Sequence, residues 1–293
     1  MKTSIAKLAL GLTLVSMSSI AMAGISMTKH NLGSTRGANP NPNFTSSTTE
    51  ICVFCHTPHG ADSSSAAPLW NRTLGTGTDY QTYSSLGTTT MDTESAGVGS
   101  VSLACLSCHD GTQAMNTVIN SPGSGTTGDV NVSGHTANGA PIYSSTASVS
   151  GAGVNCNTPN SPGGNCGGFG EFNMMSQVSG EMIYLSTDLR NDHPISIQYA
   201  GALTGLRGTI DPDFNAATST VVGNSQTVWY IDTGTTGKQK SDLPLYNRTT
   251  GPLAGEPLVE CATCHDPHTQ NTTFLRNPAG NNGSATCLTC HNK

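Results

Sequence analysis

Four stretches of the chain place two cysteines around two other residues and follow them at once with histidine. They are Cys52-Val53-Phe54-Cys55-His56, Cys105-Leu106-Ser107-Cys108-His109, Cys261-Ala262-Thr263-Cys264-His265 and Cys287-Leu288-Thr289-Cys290-His291. With nine histidines in 293 residues, chance would put one after all four pairs on the order of once in a million. The spacing suits one chemistry. Two thiols add across the two vinyl groups on one edge of a porphyrin, and the next residue lies under the ring, where its imidazole binds iron. The expectation is four covalently attached haem c groups, with His56, His109, His265 and His291 as proximal iron ligands. Paired cysteines also build structural zinc sites, and single pairs serve thiol redox chemistry. Zinc does not call for a histidine directly after each second cysteine, and a thiol oxidoreductase needs one motif, not four.

Two of the motifs carry a second histidine three residues on, His59 and His268. Neither can reach the far face of the iron its own motif holds. Trans imidazoles with metal–nitrogen bonds of about 2 Å set their alpha carbons roughly 12 Å apart, and three extended residues span only about 10 Å. His59 and His268 are therefore expected to bind the sixth position of other irons. His193, stiffened by Pro194 and with Asp192 as a candidate hydrogen-bond neighbour, and His30 complete the distal candidates. His135, in a glycine-rich polar stretch, is the least favoured. Methionine could serve in place of histidine and would raise the potential. With five spare histidines for four irons, Met27, Met91, Met115, Met174, Met175 and Met182 read better as packing residues.

The elements that must hold these residues are sparse. Aromatic residues make up 5% of the chain and charged residues 10%, and there are 34 glycines. Such a chain struggles to bury a large core of its own. Four macrocycles and eight thioether bonds would supply the missing apolar surface, so the fold is expected to form around its cofactor. The predicted fold class is a multihaem cytochrome c: mostly irregular backbone, short helices at the haem motifs and a few short strands, wrapped around a stack of four haems. Strand-like runs lie at Glu181 to Ser186 and Ser225 to Asp232.

Residues 1–23 read as a cleavable signal peptide, with Lys2 and Lys7 before an apolar run and Ala21-Met22-Ala23 at the cut. The run is too short and too broken by serines for a membrane helix. Residues 24–293 read as one tetrahaem domain. It divides into an N-terminal haem pair (24–115), a haemless Gly/Ser/Thr-rich insert (116–257) and a C-terminal haem pair (258–293). The first cysteines of the motifs are 53, 156 and 26 residues apart, and the last interval is too short to separate its haems widely. Cys156 and Cys166 frame a proline- and glycine-rich loop and are expected to form a disulfide in an oxidising compartment. Removing Lys2 and Lys7 takes the formal charge from -6 to -8, which argues against nucleic acid and anionic membranes. No membrane insertion is expected. Pro68-Leu69-Trp70-Asn71-Arg72-Thr73 recurs as Pro244-Leu245-Tyr246-Asn247-Arg248-Thr249, but on opposite sides of its haem motif, so the chain is not a clean tandem duplication.

The blocks CVFCHTPHG, PLWNR, ACLSCHDGT, NDHPIS, ECATCHDPH, FLRN and CLTCH resemble the paired-CxxCH multihaem cytochromes. Within these the chain resembles the tetrahaem extracellular filament (nanowire) cytochromes of the OmcE type. The likeness spans 26–109 and 188–293; residues 116–187 take no part in it. The resemblance implies an outer-surface electron carrier that polymerises with itself into a helical homopolymer. By position, His30 would complete a haem of the adjacent subunit, a heterologous contact that does not close. Other redox cytochromes or extracellular acceptors would be its partners. The alternatives are a soluble monomeric shuttle, a periplasmic location, a multihaem reductase of a small oxyanion, and a zinc-organised structural protein.

Overall fold

The computed structural model describes residues 24–35, 48–64, 66–87, 93–110, 118–120, 185–201, 211–223, 225–234 and 237–292. The signal segment, His135, the Cys156–Cys166 pair and every predicted methionine except Met27 lie outside the described residues.

Among the described residues the regular structure is slight. Three α-helices, α1 (Ser100–His109), α2 (Cys261–Cys264) and α3 (Ala285–Cys290), and a 3-10 turn at Cys52–Phe54 coincide with the four cysteine motifs. The five strands are β1 (Ile197–Gln198), β2 (Thr218–Val222), β3 (Gln226–Ile231), β4 (Leu243–Asn247) and β5 (Pro257–Val259). They form an antiparallel sheet in the order β1-β5-β4-β3-β2. The run predicted at Ser225 to Asp232 appears as β3, where Val228, Trp229, Tyr230 and Ile231 suit a pleated, half-buried surface. Pro244 is tolerated because the two ladders of β4 are offset. Leu243 to Leu245 pair with β3, whereas Tyr246 and Asn247 pair with β5, so Pro244 is edge-like on one side.

The strand predicted at Glu181 to Ser186 is absent at its described end. Leu185 and Ser186 are irregular, and Ser186 takes a left-handed φ of 60° that breaks any extended run. Leu185 instead donates its N–H to the His109 carbonyl, closing the C-terminal end of α1. No helix among the described residues is long and apolar enough to cross a membrane.

Packing follows the composition. Among the described residues most buried apolar side chains fall into five small clusters, and three of these pack against motif cysteines. Leu32 and Phe54 pack against Cys55 and Cys108. Ala67, Trp70 and Ala104 pack against Cys55. The largest, from Tyr199, Ile231, Leu243, Leu245 and Val259, packs the sheet onto Cys290.

Polar clamps join the clusters, and the repeated hexapeptide supplies both arginines. Arg72 is fully buried and donates from Nε and Nη2 to the Ser107 hydroxyl and carbonyl, at 3.2 and 2.8 Å, inside the second motif. Arg248 pairs with the buried Glu260 carboxylate at 3.0 Å, one residue before the third motif. The other Glu260 oxygen accepts from Ser102 of α1 at 2.5 Å and from Ser196 at 2.9 Å. Ser102 in turn accepts from the Cys261 amide at 3.0 Å, so one carboxylate fastens the second motif to the third. Burial outweighs these bonds and holds the Glu260 carboxyl above its ordinary range. Close approach also fixes the chain entering α1: a Cβ on Gly77 would collide with the Val98 carbonyl oxygen.

Glu260→Ala would strand Arg248, Ser102 and Ser196 together and should cost about 3 kcal/mol. Glu260→Gln keeps the hydroxyl acceptor and should cost less. Guanidinium unfolding of the two purified proteins checks the order; equal midpoints for both variants and the parent would remove Glu260 from this role.

Candidate haem-binding sites

Each motif makes one tight turn. Cysteines three apart on a helical turn share a face, which is how two thiols can meet one edge of a ring. In three motifs the histidine amide donates back to the carbonyl of the first cysteine: His56 to Cys52 at 2.8 Å, His265 to Cys261 at 3.1 Å and His291 to Cys287 at 2.9 Å. The chain then leaves the turn, and each histidine forms a single antiparallel bridge to another segment: His56 with Trp70, His265 with Leu275 and His291 with Phe214. The bridge brings a carbonyl to the imidazole. Nδ1 of His56 lies 2.7 Å from the Pro68 oxygen, and Nδ1 of His265 lies 2.8 Å from the Thr273 oxygen. A proton on Nδ1 leaves the Nε2 lone pair for metal. The second motif is built differently, as the last turn of α1, whose end is capped by the Asp110 amide on the Leu106 carbonyl.

The motifs neighbour one another in chain order. Cys55 and Cys108 share an apolar cluster. The Cys105 and Cys261 thiols act on each other, which raises the first and lowers the second. Cys264 feels the charge of Cys261 and Cys287, and Cys290 that of Cys264 and Cys287, so the third and fourth motifs lie within Coulombic reach of each other. Burial is the main cause that pushes the Cys55 thiol up to about 12 and those of Cys264 and Cys290 to about 11 and about 12.

Two imidazole couples stand between the motifs. His56 and His268 have ring centroids 6.2 Å apart with planes 14° from parallel. His30 and His109 are also 6.2 Å apart, with planes at 89°. Two metal–nitrogen bonds of about 2 Å and two imidazole half-widths put trans ligand centroids roughly 6.3 Å apart. Both couples therefore fit one iron between them. The His30 ring is packed by Phe274 at 4.3 Å, and its Nδ1 is buried without a hydrogen-bond partner. Burial lowers this imidazole to about 4, His109 pushes the same way and the Pro267 carbonyl opposes, so it is neutral, as a ligand must be.

His268 thus faces the histidine of the first motif and not that of its own. His59 and His193 are exposed, and among the described residues neither has an imidazole neighbour. Nδ1 of His193 lies 3.0 Å from the Pro194 carbonyl, the contact made in place of Asp192. His291 packs against Phe214 at 4.6 Å. Among the described residues no three His, Cys, Asp or Glu side chains converge to hold an ion, whereas a structural zinc site needs four donors. Asp266, between His265 and His268, is a site residue the sequence reading passed over; its position two residues before a candidate ligand was the available signal.

Residues 251–293 match the family profile of the doubled CXXCH motif, which takes in the third and fourth motifs and His268. No curated protein matches the chain. The family match supports a multihaem c-type cytochrome that binds haem c covalently and carries electrons, and it indicates no specific catalytic family.

Ligand planes shape a ferric spectrum, because near-parallel imidazoles split the two iron π orbitals and perpendicular ones leave them nearly degenerate. Electron paramagnetic resonance of the oxidised protein should resolve a rhombic low-spin signal from the His56–His268 iron and a strongly anisotropic one from the His30–His109 iron. His268→Ala should turn only the first to high spin. Loss of the anisotropic signal instead would refute this pairing.

Proposed function

We propose that the chain is a non-enzymatic electron carrier with four covalent haems, held in chain order by Cys52/Cys55, Cys105/Cys108, Cys261/Cys264 and Cys287/Cys290. The observation that carries this reading is the pair of imidazole couples at 6.2 Å, set among four C-x-x-C-H turns. When bound, the haem irons supply one-electron chemistry between ferric and ferrous states. The chain's own residues fix where that happens. Eight thiols anchor the rings, and the carbonyls of Pro68 and Thr273 orient the His56 and His265 imidazoles. His268 with His56, and His30 with His109, would hold iron between paired imidazoles, which would leave no exchangeable position there for a small oxyanion. This favours a carrier over a reductase.

The finer reading adds export by the 1–23 segment and assembly into an extracellular filament. The resemblance of the motif blocks supports it. His30 is the bridging residue that resemblance suggests, yet its ring stands against His109 of its own chain. The exposed His59 and His193 are then the better candidates to meet a neighbouring subunit.

Intact mass of the exported protein should exceed that of the processed chain by four haems, and negative staining of the secreted material should show polymers. A haem-free mass ends the carrier reading. A four-haem mass with monomers only leaves the soluble shuttle.

A further inference from the structure

The histidines of the candidate couples differ in what holds Nδ1. His56 donates to a backbone carbonyl, as does His265 outside the couples. His268 alone among these three faces a carboxylate: its Nδ1 is 3.2 Å from Asp266 Oδ1, and its amide donates to the same oxygen at 2.9 Å. Asp266 is buried while the His268 side chain is partly exposed, so the contact is shielded from water on the carboxylate side. The two cations nearby stand on the other oxygen. Arg276 Nη1 and Lys240 Nζ are each 3.8 Å from Oδ2, and Lys240 is largely exposed. Oδ1 is left to the histidine.

A carboxylate on Nδ1–H draws the proton toward itself and gives the opposite nitrogen more negative character than a peptide carbonyl does. A more basic ligand stabilises ferric iron over ferrous iron. We infer that Asp266 is a positioning and tuning residue, which fixes the His268 ring parallel to His56 and lowers the reduction potential of the iron those two imidazoles share. The proposal rests on the tetrahaem reading and adds to it an energetic distinction among the four sites. No proton or bond changes hands; the effect is electrostatic and acts through a standing hydrogen bond.

Asp266→Asn in the holoprotein removes the charge and retains an oxygen for the His268 amide. Spectroelectrochemical titration should resolve four one-electron components. One should move to higher potential by about a tenfold change in its equilibrium constant, about 59 mV, while three stay in place. The moving component should be the one that turns high-spin in His268→Ala. Asp266→Glu should return it toward the parent value. Four unmoved components with low-spin signals intact would overturn the inference, as would a uniform shift of all four, which marks a general charge effect. If Asp266→Asn loses its low-spin signal, Asp266→Glu decides: recovery of ligation without recovery of the potential also overturns it. The haem mass of the unmutated protein tests the underlying reading separately.

Discussion

Imidazole can grip iron on both faces only if two distant pieces of backbone are held about one ligand–metal–ligand span apart. On the proposed reading, the constraint falls in this chain on segments with little else in common. His56 and His268 are 212 residues apart in sequence, yet their rings lie 6.2 Å apart and nearly parallel. His30 and His109 keep the same 6.2 Å separation with their planes at 89°. Much of the remaining architecture can be understood as the means of keeping these distances. The isolated bridges at His56, His265 and His291 lock three of the four motifs to a second strand of chain, and three of the small apolar clusters settle against motif cysteines.

The clamps between motifs are polar, and this suits a protein poor in large apolar side chains. Arg72 enters the second motif and Arg248 approaches the third, from equivalent positions of a repeated hexapeptide. The repeat is therefore a repeat of function in packing, not of domain order: each copy sends a guanidinium into a neighbouring C-x-x-C-H turn or its flank. Burying the Arg248–Glu260 pair is costly, since both charges are desolvated before hydrogen bonds offset the loss. Its value lies in fixing one arrangement of the second and third motifs.

The local features of this arrangement were legible in the sequence. The four turns, the helical character at the motifs and the strand ending at Tyr230 and Ile231 all follow from residue type and short spacing. What was not legible is long-range. Distance arguments could exclude His268 from the iron of its own motif, but could not select His56 among the alternatives. His30 near the expected N-terminus reads as an arm free to reach outward, and only the Phe274 and Pro267 surroundings place it inward. The run into Ser186 has strand composition, but a left-handed backbone turn there overrides propensity. Asp266 was overlooked because its side chain matters through a hydrogen bond to a ligand and not as a ligand.

The crossing of His268 to the first motif bears on biogenesis. A polypeptide emerging N-terminus first presents Cys52 to His56 to the attachment machinery long before residue 268 has appeared. On the proposed reading, His56 would lack its partner imidazole until the tail arrives. Truncation near the C-terminus would accordingly injure the most N-terminal centre, and quality control of the whole chain would be read out at its first cofactor.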